Sequence, residues 1–156
     1  MIESSSDAVV REVEYAHPID VVWTALTTDD AISQWLMPAS GFKAEVGAKF
    51  TMAYPDGQGG RGGTVDCEVL NVDEPHRLTY TWTSGPVNTT VTYHLASTGN
   101  GTKLRLEQVG FDSIEGDNKP FRNGAEGGWT LFLQKNLPGV LDSLAILRRT
   151  EVLRNG

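Results

Sequence analysis

The chain has 156 residues, of which 39% are hydrophobic and 21% are charged, so we expect residues 1–156 to form a single globular domain. Its formal net charge of −7 opposes binding to nucleic acid and to anionic lipid. No stretch approaches the ~18 consecutive apolar residues of a membrane span. Composition therefore argues against nucleic-acid and membrane partners.

The N-terminus and the cysteine content predict a cytoplasmic protein. Acidic Glu3 and Asp7 stand where a secretory signal would carry basic residues and then an apolar run. The lone Cys67 cannot form an internal disulfide, which agrees with a reducing compartment.

The first forty residues predict one strand and two short helices. Residues 8–15 are rich in β-branched side chains that alternate with polar ones, as in a strand. Pro18 suits the first turn of a helix. The apolar positions of that helix are Ile19, Val22, Trp23 and Leu26. Thr28 predicts the N-cap of a second helix, which Pro38 ends.

Between residues 40 and 110 the hydrophobic period changes to two, and turn residues separate the runs, which predicts an antiparallel meander of six strands. Along these strands, every second residue is apolar and the residues between them are mostly polar. One face of the sheet is therefore apolar and needs a cover. The apolar parity comprises Phe50, Met52, Tyr54, Val65, Cys67, Val69, Leu78, Tyr80, Trp82, Val91, Tyr93, Leu95, Leu104 and Leu106.

The C-terminal segment predicts the helix that covers this face. Asn123 and Glu126 have the spacing of a capping box, which predicts the helix start, and Pro138 predicts a kink. We expect residues 111–124 to be an irregular, mobile lid over one end of the sheet. The helical stripe comprises Trp129, Phe132, Leu133, Leu137, Val140, Leu141 and Leu144. The predicted fold class is α+β, a curved antiparallel sheet wrapped around a long C-terminal helix.

Motifs with a known chemistry are absent from the sequence. Residues 57–62 match G-x-G-x-x-G, but a strand follows them where a dinucleotide site needs a helix, so they predict a hairpin connection. The histidines lack the paired spacing of a zinc site, and no metal or cofactor is predicted. Cys67 lies on the apolar parity and is interpreted as a buried small residue rather than a nucleophile.

Four segments that together span most of the chain carry a family resemblance: residues 13–38, 62–82, 101–111 and 127–142. With Pro18, Trp35, Trp82 and Trp129 as landmarks, the chain resembles the START-like, birch-pollen-allergen-like (SRPBCC) superfamily. It most resembles the family related to the C-terminal domain of the heat-shock-protein ATPase activator. The resemblance implies a helix-grip fold with a hydrophobic cavity. Gln108 stands where members often carry an imidazole, which puts acid–base chemistry there in doubt.

The inner face of the sheet and the long helix together predict a cavity for a small apolar or aromatic molecule. Gln108 follows the apolar parity of its strand, and Asn136 lies on the apolar stripe of the helix, so both amides are predicted to orient a ligand. The predicted ligand-binding residues are Trp35, Met52, Tyr54, Tyr80, Trp82, Tyr93, Gln108, Trp129, Phe132, Leu133 and Asn136.

Two alternatives stay open. A cyclase or hydrolase of the same superfamily would need an ionisable group in the cavity, and Glu45, Asp112 and Glu115 are the candidates near its rim. No catalytic residue is identified, and we expect binding rather than catalysis. A protein-interaction module, with a chaperone or a second copy as the partner, would need an exposed apolar patch.

Overall fold

A computed structural model describes residues 8–53 and 64–155, with side chains as far as Leu147. Tyr54 and the glycine-rich segment 57–62 lie outside the described residues. The strands are β1 (Val9–Tyr15), β2 (Ala39–Ser40), β3 (Lys49–Ala53), β4 (Thr64–Asp73), β5 (Arg77–Ser84), β6 (Val87–Ser97) and β7 (Thr102–Val109). The helices are α1 (Ile19–Leu26), α2 (Asp29–Trp35), α3 (Lys119–Leu131) and α4 (Leu137–Asn155), with a π turn at Phe132–Asn136 joining the last two.

The seven strands form one antiparallel sheet in the order β1-β7-β6-β5-β4-β3-β2. Strands β2 to β7 form the predicted six-stranded meander, and β1 closes the sheet by pairing with β7, where Val9 faces Gln108. The long C-terminal helix covers the apolar face. This arrangement confirms the predicted α+β helix-grip fold.

The period-two pattern places the core correctly. Every described member of the predicted apolar parity is buried, and β5 alternates between buried Leu78, Tyr80 and Trp82 and partly exposed threonines. On the outer face, Thr79 and Thr92 meet across β5 and β6 with their hydroxyl oxygens 3.1 Å apart. His94 lies on that face too, with Nε2 3.3 Å from Glu107 Oε1.

The long helix begins four residues earlier than Asn123, so the predicted start is wrong. The backbone N–H of Lys119 donates to the Asp117 carboxylate at 3.0 Å, and Pro120 occupies the first turn, where a missing N–H costs nothing. A short 3₁₀ turn at Phe111–Ser113 orders part of the segment that was predicted to be irregular. Residues 119–123, which were predicted to be irregular, therefore belong to helix α3.

Pro138 acts on the helix through a π turn. The backbone N–H of Leu137 donates to the Phe132 carbonyl, five residues back instead of four. In the same register the Leu133 carbonyl would face the nitrogen of residue 138, which as a proline has no hydrogen. The hydroxyl of buried Tyr15, at the end of β1, donates to that carbonyl at 2.6 Å. Tyr15 therefore satisfies the acceptor that Pro138 leaves without its helical donor.

None of the helices within residues 8–53 and 64–155 is long and apolar enough to cross a membrane.

Replacing Tyr15 with phenylalanine is expected to destabilise the protein by about 1–2 kcal/mol, because the buried Leu133 carbonyl loses its donor. The free energy of unfolding in urea measures this cost. The matched control is the same substitution in a Pro138→Ala background, where residue 138 regains an N–H that can serve the carbonyl. We expect a smaller cost there. An equal cost in both backgrounds would show that the hydroxyl does not compensate for the proline.

Candidate functional site

An open cavity of about 790 Å³ lies between the long helix and one end of the sheet. Its walls come from the ends of β5 and β7, the start of β6, the residues after α2, the 3₁₀ turn and the helix from Pro120 to Asn136. The lining residues are Leu36, Met37, Trp82, Ser84, Val87, Gln108, Phe111, Pro120, Phe121, Gly124, Ala125, Gly128, Trp129, Leu131, Phe132 and Asn136. The described part of the lining carries no charged side chain.

Trp129 is the centre of the aromatic wall. Its ring centroid lies 5.6 Å from that of Trp82 on β5 and 5.8 Å from that of Phe132 on the π turn. On its core side it meets Tyr93 edge-on at 6.1 Å. These separations are within the range of favourable aromatic pairs, so the wall is held by packing before any ligand arrives.

A chain of buried hydrogen bonds fixes the polar part of the same wall. The indole N–H of Trp129 donates to Gln108 Oε1 at 2.8 Å, and Gln108 Nε2 donates to Thr89 Oγ1 at 2.8 Å. The Thr89 hydroxyl then donates to the Trp82 carbonyl at 3.0 Å. Gln108 and Thr89 are each 2% exposed. The amide that was predicted to orient a ligand is therefore already bonded at both ends.

One stripe of the helix leaves the cavity open. Pro120, Gly124, Gly128, Phe132 and Asn136 follow each other at steps of four and all line the cavity. A Cβ built on Gly124 would meet no atom within 4 Å, whereas one on Gly128 would touch the Phe132 ring at 3.5 Å. Gly124 lines the cavity and is itself exposed, so a larger side chain there would enter open space beside the wall.

Asn136 closes the far end of this stripe. Its Nδ2 donates to the backbone carbonyl of Trp35 at 3.3 Å, which connects the π turn to the end of α2. Because a carbonyl can only accept, this contact sets which way the amide faces.

The structure divides the predicted ligand-binding residues into two groups. Trp82, Gln108, Trp129, Phe132 and Asn136 line the cavity. The others with described coordinates are buried in the core and are not on the cavity wall: Trp35, Met52, Tyr80, Tyr93 and Leu133. Tyr54 lies outside the described residues. Ligand contact by any of them stays a prediction.

Tyr80 and Tyr93 show why a buried polar tip does not by itself indicate a site. Their hydroxyl oxygens are 2.6 Å apart, so each phenol finds its partner in the other. Burial raises the pKa of both phenols well above the ordinary range. Trp35 likewise donates its indole N–H to the Ala25 carbonyl at 2.8 Å. These groups serve the core.

Sequence reasoning missed the part of the wall that lies before Trp129. Pro120, Phe121 and Gly124 were placed in an irregular lid because the helix start was set too late, and Ala125 was not assigned to the site. The signal that could have found them is Pro120 itself, a residue favoured in the first turn of helices, two positions after Asn118.

The cavity offers little for acid–base or nucleophilic chemistry. Glu45, Asp112 and Glu115 are exposed and are not among the lining residues. Burial, with a smaller effect of Asp66, raises the pKa of the Cys67 thiol to about 12, so the thiol stays protonated near neutral pH. Within the described ranges, no group of three or more His, Cys, Asp and Glu side chains could hold a metal ion.

A second, smaller hollow of about 400 Å³ lies where the end of β1 meets the long helix. At this hollow His17 Nε2 and Asp142 Oδ1 lie 2.9 Å apart in a hydrogen bond, and the Asp142 side chain is 70% exposed. The larger cavity is the stronger candidate because aromatic side chains form its walls.

Comparison with known proteins identifies the family to which the chain belongs. Residues 16–142 match the family described as activator of Hsp90 ATPase homolog 1-like protein. MLL2253 from Mesorhizobium loti is 37% identical, with a TM-score of 0.75 over 87% of this chain and 97% of its own. BH1534 from Bacillus halodurans is 26% identical, with a TM-score of 0.70 over 86% of this chain and 96% of its own. DynU16, a protein of the dynemicin biosynthetic locus, is 25% identical, with a TM-score of 0.71 over 87% of this chain and 47% of its own.

No curated protein matches this chain. The family match covers most of the chain, and it agrees with the resemblance that the sequence carries. The protein therefore belongs to the activator of Hsp90 ATPase homolog 1-like family of the START-like (SRPBCC) superfamily.

Proposed function

We propose that this protein binds a small, largely apolar or aromatic molecule in the cavity between the long helix and the sheet. The observation that carries the proposal is the cavity wall itself, in which the indoles of Trp82 and Trp129 and the ring of Phe132 lie beside the small helix residues Gly124, Ala125 and Gly128. A volume of about 790 Å³ lies within the range typical of small-molecule sites. Burying apolar ligand surface there would contribute about 25 cal/mol per Å².

The packing around the cavity supports the same function. Every buried side-chain nitrogen and oxygen in the described part of the chain has a hydrogen-bond partner. The core beside the cavity is closely filled, with Leu133, Leu137 and Leu141 fully buried. The open volume is therefore local, and it lies where the helix carries glycine.

The enzyme alternative has less support in the described residues. A cyclase or hydrolase needs an ionisable group at the reacting atoms, and the polar side chains of the described wall are neutral: Ser84, Gln108, Asn136 and the two indoles. The likeness to DynU16, a protein of a biosynthetic locus, fits a binding protein and an enzyme equally.

The interaction alternative rests on exposed apolar side chains. Ile146 and Leu147, adjacent on α4, are 60% and 65% exposed, and other exposed apolar residues lie on β1, β4 and β7. A chaperone or a second copy as partner, like the cytoplasmic location, stays a prediction from the sequence.

Filling the cavity from the helix should abolish binding without unfolding the protein. In Gly124→Leu the new side chain enters open space, and leucine also favours the helix by about 0.8 kcal/mol over glycine. We expect its affinity for the fluorescent probe 1-aminoanthracene to fall by about tenfold or more, since the lost contact corresponds to at least ~1.4 kcal/mol.

Gly127→Leu is the matched control. Gly127 lies on the same helix with open space around its Cβ, but it is not a lining residue. This variant gains the same helix propensity and should bind the probe like the wild type. Equal affinity in all three proteins would place the probe elsewhere, and failure of the wild type to bind would count against the proposed function.

Replacing Gln108 with leucine is expected to destabilise the fold by about 1–3 kcal/mol, because the Trp129 N–H and the Thr89 hydroxyl both lose a buried partner. Urea unfolding measures the cost. Lys103→Leu, on the same strand but in an exposed pair 3.7 Å from Glu12, should cost less than about 1 kcal/mol. Similar costs for the two variants would contradict a structural role for Gln108.

A further inference from the structure

The polar groups of the cavity differ in what they still offer to a ligand. Gln108 is engaged at both ends and is 2% exposed. Ser84 carries a hydroxyl that can donate or accept, so it does not discriminate between ligands. The indole N–H of Trp82 is a donor that no described group accepts, and Asn136 offers an acceptor of fixed direction, because one end of its amide is fixed.

The orientation of Asn136 follows from its contact with Trp35. The Trp35 carbonyl accepts from Nδ2 at 3.3 Å, which leaves Oδ1 as the other end of the amide. Among the described residues no group donates to this oxygen. Since every buried side-chain nitrogen and oxygen in those ranges has a partner, Oδ1 is accessible, and Asn136 lines the cavity. The cavity therefore presents a hydrogen-bond acceptor, Asn136 Oδ1, to which no described group donates.

The lack of charged side chains in the described wall disfavours charged ligands. The described lining residues include no Lys, Arg, His, Asp or Glu. An ion that moves from water into such a site loses hydration worth several kcal/mol and finds no opposite charge to replace it. The net charge of −7 adds repulsion for anions.

We infer that the ligand of this cavity is an uncharged aromatic compound with a hydroxyl group that donates to Asn136 Oδ1. The inference rests on the proposed function, since it names the class of ligand for the same cavity. The aromatic part packs against the wall of Trp82, Trp129 and Phe132, and the hydroxyl reaches the π turn at the end of the glycine stripe. Asn136 is then the residue that determines specificity.

A matched series of naphthalenes tests this assignment by titration calorimetry near neutral pH. The series comprises 2-naphthol, 2-methoxynaphthalene, 2-naphthoate and 2-naphthylmethylammonium, so that one skeleton carries a donor, a blocked donor, a negative charge and a positive charge. We expect 2-naphthol to bind about fivefold more tightly than the methoxy compound, as one neutral hydrogen bond provides. Both ions should bind on the order of a hundredfold more weakly than 2-naphthol.

The variant Asn136→Leu tests whether Asn136 Oδ1 causes the preference for 2-naphthol over 2-methoxynaphthalene. The variant keeps a similar volume and removes the acceptor, so it should bind 2-naphthol and 2-methoxynaphthalene equally. The lost contact with Trp35 affects both compounds alike and cancels in the comparison. Asn136→Ala replaces the leucine variant if that one does not fold.

The outcomes separate the inference from the function on which it rests. Equal binding of the two neutral compounds by the wild type, tight binding of either ion, or a hydroxyl preference that persists without Asn136 would overturn the inference and leave the cavity as a binding site. Failure of the wild type to bind any compound of the series would count against the proposed function as well.

Discussion

The indole of Trp129 is the contact on which the arrangement of helix and sheet depends. It donates its N–H to Gln108 at the end of β7 and packs its ring against Trp82 on β5 and Tyr93 on β6. Three neighbouring strands thus hold one side chain of the helix. Because Gln108 passes the hydrogen bond on to Thr89, removing any member leaves a buried polar group without a partner, which costs more than the bond itself contributes.

The π turn explains how this anchor and the rest of the helix can both face the sheet. Trp129, Leu133, Leu137 and Leu141 are buried at steps of four residues. In a regular α-helix each such step turns the stripe by about 40° past a full circle, so the series would rotate away from the core. A wider turn at Phe132–Asn136 offsets part of that rotation. The helix takes this form beside Pro138, whose missing hydrogen Tyr15 compensates from the sheet.

The sequence predicts faces well and positions along them poorly. Alternation along β5 correctly buries Leu78, Tyr80 and Trp82, yet of these three only Trp82 reaches the cavity, because the cavity lies at one end of the sheet. The alternation of residues along a strand shows which face of the sheet a side chain occupies, but it does not show at which end of the sheet the cavity lies. The helix start was also misplaced: Asn123 and Glu126 have the spacing of a capping box, but the helix begins at Lys119 with Pro120 in its first turn. Steps of four along the stripe, together with Pro138, did contain the signal for the wide turn.

The structure separates two amides that the sequence treats alike. From the sequence, Gln108 and Asn136 are equivalent amides that point toward one cavity. In the structure Gln108 belongs to the hydrogen-bond chain that anchors the helix, so it holds the wall in place, whereas Asn136 uses only its nitrogen and keeps an acceptor available. Gly124 likewise lines the cavity with open space beside its Cα, since a Cβ there would meet no atom within 4 Å. Under the proposed function, fold and recognition rest on different positions of one helix, and variants at Gly124 and Asn136 are expected to change ligand binding while the anchor at Trp129 stays intact.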